Sequence, residues 1–198
     1  MKTDILLPTM RGPNFTLRPF MSGDDASLQA SLNDDRVARK VSHIPFPYTI
    51  EDARKWITQC TSVIAAASKR ADFAIDIDGS IVGSMAFINL DDHKAQVSYW
   101  VAPHMWGQGL ATDALKMLLK FGFEELELVR IYAYTYSGNR ASARVLEKCG
   151  FTFEGTFRKE WHKVIDGEDK FFDSDHYSIV DDDYLAQKRI AYATAITA

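Results

Sequence analysis

The sequence is poor in cysteine. Only Cys60 and Cys149 occur among 198 residues, too few and too far apart for a disulfide framework or a zinc cluster. Both lie in apolar helical patterns, which predicts reduced and partly buried thiols. We therefore expect a reducing compartment, the cytoplasm.

Long apolar runs are also missing. No stretch approaches the run of about 20 apolar residues that a membrane helix needs. The longest uncharged run, 95–112, contains Pro103, Gly107 and Gly109, a combination that is rare in a lipid-spanning helix. Near the start, Asp4 precedes only three consecutive apolar residues, so we expect no signal peptide and no membrane partner.

An excess of basic residues is missing as well. The formal net charge is −4, and no basic stripe of the kind that nucleic-acid-binding proteins carry is present. Nucleic acid is therefore not expected as a partner. The remaining composition, 46% hydrophobic and 25% charged, is that of an ordinary globular chain.

The hydrophobic patterns predict a single α+β domain over 1–198 with a core over about 14–180. Asp78-Gly79 predicts a hairpin turn, Pro19 predicts that the first strand lies at an edge, and Asp166-Gly167 joins the last two strands. Strands are predicted at 14–20, 73–77, 81–87, 95–101, 129–136, 151–157, 161–165 and 171–180. Helices are predicted at 22–33, 49–67, 109–125 and 139–149, with a short helix at the end.

The most informative segment runs from a strand end through a glycine loop into a helix. Gly107 and Gly109 are separated by one residue in this loop. Glycines let a backbone approach a ligand closely, and a helix N-terminus offers unpaired N–H groups, so phosphate or pyrophosphate is the ligand expected there. Glycine that merely makes the turn explains the same spacing.

Two common phosphate loops do not fit this segment. No Gly-Lys-Ser/Thr follows, which excludes a P-loop. The third glycine of a dinucleotide fingerprint is replaced by Thr112, and the preceding strands form hairpins instead of a repeated βαβ pattern.

Taken together, these residues resemble the coenzyme A-binding segment of the GNAT superfamily of N-acetyltransferases. The family signature, Gln/Arg-x-x-Gly-x-Gly/Ala, corresponds to 104–109, where His104 replaces the usual Gln or Arg. The sequence of 106–112, Trp-Gly-Gln-Gly-Leu-Ala-Thr, resembles that of the RimJ/RimL branch, whose members acetylate the N-termini of ribosomal proteins. The same branch resembles this chain at 44–48, 139–151 and 173–177.

The resemblance extends from about Phe15 to Val180 and implies a fold and an activity. The fold is the GNAT fold, a twisted, mixed, mostly antiparallel sheet with helices on both faces. The activity is transfer of an acetyl group from acetyl-CoA, the co-substrate, to a primary amine. A protein N-terminus is the favoured acceptor, and a small-molecule amine, an amino acid or an antibiotic is the alternative.

The resemblance also implies roles for individual residues. Val101 would pair through its backbone with the pantetheine arm, and its N–H would stabilise the oxyanion. Asn139 would bind the pantetheine region, and Ser142 would lie near the thioester sulfur and protonate the leaving thiolate. Tyr48 and Tyr177 would line the acceptor pocket. The pyrophosphate would be held by backbone N–H groups of Trp106, Gly107, Gln108, Gly109, Leu110, Ala111 and Thr112.

Each role has a purely structural alternative. Asn139 and Ser142 form a good helix start, and buried aromatic packing accounts for Tyr48 and Tyr177. In many relatives a tyrosine one turn after the serine is the general acid. Leu146 stands there, which leaves Ser142 as the acid candidate.

Several functional questions stay open. The candidate general bases are Glu160, His162, Asp173, Asp175 and His43, and none of them can be selected. No second cluster completes a metal site with 173–176, so no metal is expected. A non-catalytic acyl-CoA-binding module and a nucleotide-phosphate binder remain alternatives, and a homodimer is one option for the oligomeric state.

Overall fold

A computed structural model describes residues 7–40, 44–61, 69–165 and 167–196. It confirms an α+β fold. The strands are β1 (Met10–Arg11), β2 (Thr16–Pro19), β3 (Ala71–Ile77), β4 (Ser80–Ile88), β5 (Lys94–Val101), β6 (Arg130–Tyr136), β7 (Thr152–Ile165) and β8 (Glu168–Val180). The helices are α1 (Asp25–Leu32), α2 (Asp35–Ala38), α3 (Ile50–Thr61), α4 (Leu110–Lys120), α5 (Arg140–Lys148) and α6 (Asp181–Ile196).

The chain divides into two compact units. The first comprises 1–92 and 96–118, and the second comprises 93–95 and 119–198. In the first unit, β1 to β5 pair in chain order, each antiparallel to the next. In the second unit, β8 lies between β6 and β7 and is antiparallel to both. A single domain over 1–198 stays a prediction.

The core of the first unit combines α1, α3 and the sheet. Its buried cluster is Phe20, Leu28, Leu32, Val37, Tyr48, Ala53, Ile57, Ala74 and Ile81. Helix α3, predicted at 49–67, buries Ala53 and Ile57 at helical spacing, with Trp56 and Cys60 packed against the cluster. The predicted end of this helix, 62–67, lies outside the described residues.

A buried ion pair network fixes the start of α1. The Arg18 guanidinium donates two hydrogen bonds to Asp24, at 2.8 and 2.9 Å, and one to Asp76 at 2.6 Å. Asp24 also accepts a hydrogen bond from the Met21 backbone N–H. Within the helix predicted at 22–33, Asp24 is the residue that precedes the first turn, and Arg18 holds its carboxylate in place.

The second unit has its own core. Helix α5 packs against β6, and Ile131, Leu146 and Ile179 are fully buried. The terminal helix is longer than predicted, with 16 residues. It is anchored because Tyr184 and Lys188 both donate to the Glu124 carboxylate at 2.7 Å.

Several local predictions are confirmed and others need correction. The Asp78-Gly79 hairpin turn is present, with φ of +50° and +81°. Strand β2 is not at the edge, since β1 pairs with it; β1 covers only 16–17 and leaves Pro19 unpaired on that side. The two strands predicted at 151–157 and 161–165 are one strand, β7, interrupted by a bulge. Position 166 of the predicted turn lies outside the described residues.

Both cysteines are free thiols, Cys149 buried and Cys60 partly buried. Among the described helices, none is long and apolar enough to span a membrane.

Candidate functional site

The end of β5 is the first part of the candidate site. Val101 is its last residue and lies opposite Gly83 of β4, while the next residue, Ala102, donates its N–H to the Val82 carbonyl at 2.8 Å. Hydrogen-bonded and non-hydrogen-bonded pairs alternate along an antiparallel ladder. The N–H and C=O of Val101 therefore point away from β4, as pairing with an extended ligand requires.

Gly83 determines how closely β4 and β5 approach at this point. A Cβ atom there would lie 2.7 Å from the Trp100 carbonyl oxygen and 2.8 Å from Ile75 Cδ1. Because the first contact is with backbone, a larger residue would displace the end of β5. The sequence analysis missed this residue, although an isolated glycine in a strand pattern signals a close backbone approach.

Trp106 is linked to the strand end by its side chain. Its indole N–H donates to the Val101 carbonyl at 2.6 Å, and the residue is 39% exposed. Lys40 Nζ lies 4.6 Å from the ring centroid, and the Arg36 guanidinium carbon lies 5.9 Å from it. These distances allow cation–π attraction. The side chain thus ties the glycine loop to β5.

The two loop glycines adopt conformations that other residues rarely take. The φ angles of Gly107 and Gly109 are +76° and +82°, so the turn alone requires glycine at both positions. A Cβ atom at Gly107 would have nothing within 4 Å, and one at Gly109 only Asp113 Oδ2 at 3.8 Å. Gln108 braces the loop by donating to the His104 carbonyl at 2.9 Å.

Helix α4 begins directly after this loop. Its first backbone hydrogen bond runs from the Asp113 N–H to the Gly109 carbonyl at 3.0 Å. The N–H groups of Leu110 and Ala111 precede that bond and belong to the first turn, where Thr112 also lies. The Leu110 side chain is buried, which fixes the helix start. The predicted strand, loop and helix are therefore all present, with the orientation that suits an anion.

Tyr48 belongs to the core of the first unit. Its ring is buried in the cluster with Phe20 and Leu28, and its backbone N–H donates to Asn33 Oδ1 at 3.1 Å. Burial, together with the nearby Asp52 carboxylate, raises the pKa of the Tyr48 phenol to about 12. The structural role foreseen for this residue is present.

Asn139 and Ser142 begin helix α5 in the second unit. Asn139 is the N-cap, and its Oδ1 accepts a long hydrogen bond, 3.5 Å, from the Ser142 N–H. The cap uses the Ser142 backbone N–H and not its side chain. One turn later Leu146 is fully buried.

Tyr177 lies on β8 with its side chain buried. Its ring packs edge to face against Phe153, with ring centroids 5.4 Å apart. Burial raises the pKa of the Tyr177 phenol. Its packing, like that of Tyr48, is that of a core residue.

The candidate general bases occupy different environments. Asp175 accepts hydrogen bonds from the hydroxyls of Ser137 and Thr156, and Asp173 accepts one from the Lys159 N–H. Asp175 therefore links the turn after β6 to β7, and Asp173 holds the bulge of β7. His162 lies beside Asp169 on an exposed part of the β7–β8 hairpin. The candidate at position 43 lies outside the described residues.

Glu160, the remaining candidate, has a partner that the sequence analysis did not identify. Its Oε2 lies 2.7 Å from His176 Nε2, and the imidazole is stacked between Tyr134 and Phe157 at centroid distances of 4.0 and 3.9 Å. The alternation of β8 could have placed His176 on the same face as Ser174 and Ser178. The contact with Glu160 could not be foreseen because it depends on the bulge in β7.

In the part of the chain that the structure describes, no three His, Cys, Asp or Glu side chains come close enough to hold a metal ion.

Comparison with known proteins gives the family. The model of the acetyltransferase (GNAT) domain matches residues 14–152. The N-acetyltransferase YokL of a Bacillus subtilis (strain 168) prophage is 30% identical over 154 residues, 75% of this chain and 81% of that protein. YdaF of the same strain, provisionally named a ribosomal N-acetyltransferase, is 41% identical over 83 residues; these are 41% of this chain and only 45% of YdaF.

The solved structures agree with this result. RimJ from Mycobacterium smegmatis, determined with a CoA disulfide, superimposes with a TM-score of 0.74 at 26% identity, covering 88% of this chain and 86% of that one. The predicted GNAT fold and the resemblance to the RimJ/RimL branch are confirmed. The chain therefore belongs to the GNAT family and is an N-acetyltransferase whose co-substrate is acetyl-CoA.

Proposed function

We propose that the protein transfers the acetyl group of acetyl-CoA to the N-terminal amine of a protein substrate in the cytoplasm. The observation that carries this proposal is the 41% identity to YdaF. The likeness to RimJ, at 26% identity over most of both chains, supports the same branch.

The first unit supplies the proposed cofactor-binding backbone. The N–H groups of 107–112 bind the pyrophosphate, because the positive-φ turn at Gly107 and Gly109 exposes the chain and the start of α4 offers amides and positive dipole. The Trp106 N–H, expected to join them, donates instead to the Pro103 carbonyl at 3.3 Å. Val101 pairs with the pantetheine arm, since its peptide groups point away from β4. The Val101 carbonyl already accepts a hydrogen bond from the Trp106 indole. Its second lone pair can accept one from the pantetheine arm.

In the second unit we propose that Asn139 binds the pantetheine region and that Ser142 is the general acid. The cap fixes both residues at the first turn of α5. The cap bonds to the Ser142 backbone N–H, so Ser142→Ala keeps that hydrogen bond.

The reaction needs three events in order. The acceptor ammonium first loses a proton to water or a base, and the neutral amine attacks the thioester carbonyl. The oxyanion then receives a hydrogen bond from the Val101 N–H, a preorganised backbone donor. Finally the C–S bond breaks, and the Ser142 hydroxyl protonates the thiolate. The attacking nitrogen loses the surplus proton that it carries after the attack, and this proton restores the Ser142 hydroxyl, directly or through solvent. Positioning of the two substrates contributes to the rate independently of these groups.

Tyr48 and Tyr177 are proposed to support the acceptor pocket from behind. Tyr177 lies on the opposite face of β8 from Ser174 and His176, so it would act from the core side. Both rings are buried, so their contribution is to shape the wall and not to exchange protons.

Peptide acetylation tests the proposal directly. The purified protein is incubated with acetyl-CoA and peptides that differ only in a free or formylated N-terminus, each with an internal lysine, and with polyamines and amino acids. Mass spectrometry should locate a single acetyl group on the free N-terminus. Acetylation only of polyamines or amino acids would refute the proposal and leave a small-molecule acetyltransferase, and cofactor binding without thiol release would leave a non-catalytic acyl-CoA-binding module.

A further inference from the structure

Three buried polar atoms of the second unit have no hydrogen-bond partner among the described residues. They are the Tyr136 hydroxyl, the Trp161 indole N–H and the Ser174 hydroxyl. Ser174 is fully buried, with 0% exposure. A buried donor or acceptor without a partner is costly, so three in one region need an explanation.

These three side chains lie together on one face of the β6-β8-β7 sheet. Tyr136 is directly opposite Ser174, and Trp161 is directly opposite Phe172, two residues from Ser174 along the same strand. Side chains directly opposite each other share a face. The Tyr136 ring confirms the grouping, with centroids 5.5 Å from Trp161 and 5.4 Å from Phe172. We name the three aromatic residues and the serine among them the aromatic cluster: Tyr136, Trp161, Phe172 and Ser174.

A bulge in β7 brings Trp161 to this place. Between the pairs Phe157–Ser174 and Trp161–Phe172, three residues of β7 oppose only Asp173. Lys159 has φ of +54°, and its N–H is held by Asp173 Oδ1 at 2.8 Å. Bulges of this kind re-aim side chains and are frequent beside functional sites.

The chemistry of the cluster restricts its ligand. The indole N–H can only donate, so the ligand must offer an acceptor, whereas the two hydroxyls can donate or accept. The neighbouring Glu160 carboxylate, bonded to His176 on the same face, disfavours an anionic acceptor group and favours a cation. A neutral carbonyl next to an ammonium satisfies both conditions, and the three aromatic rings add cation–π attraction for the ammonium.

We propose that the aromatic cluster recognises the first residue of the acceptor by binding its carbonyl oxygen and amine through Tyr136, Trp161 and Ser174. This inference rests on the proposed function and names what selects a peptide N-terminus over a simple amine. The three polar atoms are buried, so binding includes a side-chain rearrangement, as is common at interfaces.

The proposal predicts opposite effects on stability and on acceptor use. Ser174→Ala and Tyr136→Phe each remove one unpartnered atom, so neither should lower the urea midpoint. Ser178→Ala is the matched control, because Ser178 is buried on the same face of β8 but its hydroxyl contacts Arg130 and Glu154 at 2.9 and 2.7 Å. This variant should lower the midpoint and leave the acceptor KM unchanged.

Kinetics with two acceptors then test recognition. Alaninamide and isopropylamine share the amine and the methyl group, and only alaninamide has the carbonyl. Ser174→Ala and Tyr136→Phe should each lose about tenfold in kcat/KM for alaninamide, the effect of one hydrogen bond. Activity with isopropylamine and the KM for acetyl-CoA should change less than twofold.

Each outcome decides a different question. If the wild-type protein acetylates alaninamide and a peptide N-terminus but both variants match it, the inference is wrong and the proposed function stands. A lowered urea midpoint in Ser174→Ala or Tyr136→Phe also overturns the inference, since it would mean that the atom is already bonded. If the wild-type protein acetylates neither a peptide nor alaninamide, the proposed function fails and the inference fails with it.

Discussion

The glycine loop gives the sharpest test of cofactor binding. Gly109 has φ of +82°, and a Cβ atom there would have only Asp113 Oδ2 nearby, at 3.8 Å. Any other residue at this position carries backbone strain of roughly 1–2 kcal/mol. We compare Gly109→Asp with Gly109→Asn, because the two side chains have the same shape and differ only in charge, so strain and size cancel.

The magnitude follows from the expected ligand. If the pyrophosphate lies against the Gly109 backbone, a carboxylate there would be about 5 Å from a phosphate charge. At an effective dielectric constant of about 20, two unit charges at that distance repel by about 3 kcal/mol. Gly109→Asp should therefore bind acetyl-CoA roughly a hundredfold more weakly than Gly109→Asn.

Calorimetric titration with acetyl-CoA measures this difference, and added salt should reduce it because the effect is electrostatic. The matched control is Gly79, in the β3–β4 turn, which has φ of +81° and open space at its Cβ position. Gly79→Asp and Gly79→Asn should lower stability without changing acetyl-CoA affinity. Equal affinities of Gly109→Asp and Gly109→Asn would mean that no phosphate lies there and that the glycine serves only the turn.

Three further changes test other parts of the structure. Ser142→Ala should lower kcat at least tenfold, while the acetyl-CoA dissociation constant stays within twofold. Ser142→Thr, which keeps a hydroxyl, should retain more activity. Equal kcat in the wild type and Ser142→Ala would remove the hydroxyl from the mechanism. Tyr48 has a pKa of about 12 when folded and about 10 when unfolded. The unfolded chain therefore loses its proton first, and the free energy of unfolding should fall by about 2 kcal/mol between pH 10 and 12. Tyr48→Phe should lack this part of the decline in urea titrations at several pH values. Arg18→Met leaves two buried carboxylates unpaired and should cost about 3–5 kcal/mol of unfolding free energy, whereas Arg54→Met, which breaks an exposed pair, should cost less than about 1 kcal/mol.

Most of the fold could be predicted from local patterns. The hairpin at Asp78-Gly79 and the helix after Asn139 carry strong local signals, a positive-φ pair and an N-cap, and both are found within a residue or two of the predicted positions. The elements missed are too short to carry a pattern of their own. Strand β1 has two residues and exists only through β2. Helix α2 follows an Asp34 cap, and its four residues are too few to show a helical period.

The continuity of the long strand β7 could not be predicted from its own sequence either. Its sequence reads as two strands because the segment around Lys159 breaks the alternation. The segment remains in the sheet since Asp173, on the partner strand, holds the Lys159 N–H. A contact between residues 14 positions apart on paired strands leaves no signature in either segment alone.

In the candidate site, too, local features could be predicted and contacts between separate elements could not. The backbone features of 107–112 follow from residue type and spacing, and the structure has them as predicted. The partners of the side chains do not follow from residue type and spacing. The Trp106 contact with the Val101 carbonyl, the Glu160 contact with His176 and the unpartnered atoms of the aromatic cluster depend on how separate elements meet.

The Trp106 contact bears on how the proposed site would bind its cofactor. A carbonyl oxygen has two lone pairs, and in Val101 one of them already accepts the indole N–H at 2.6 Å. A pantetheine amide that pairs with the same carbonyl must use the second lone pair or displace the indole. The indole also lies next to Lys40 and directly precedes Gly107, so displacement would disturb the loop proposed to bind the pyrophosphate. If the pantetheine amide uses the second lone pair, the indole keeps its contacts with the Val101 carbonyl and with Lys40. Trp106 then fixes the position of the glycine loop relative to the end of β5 before the cofactor binds.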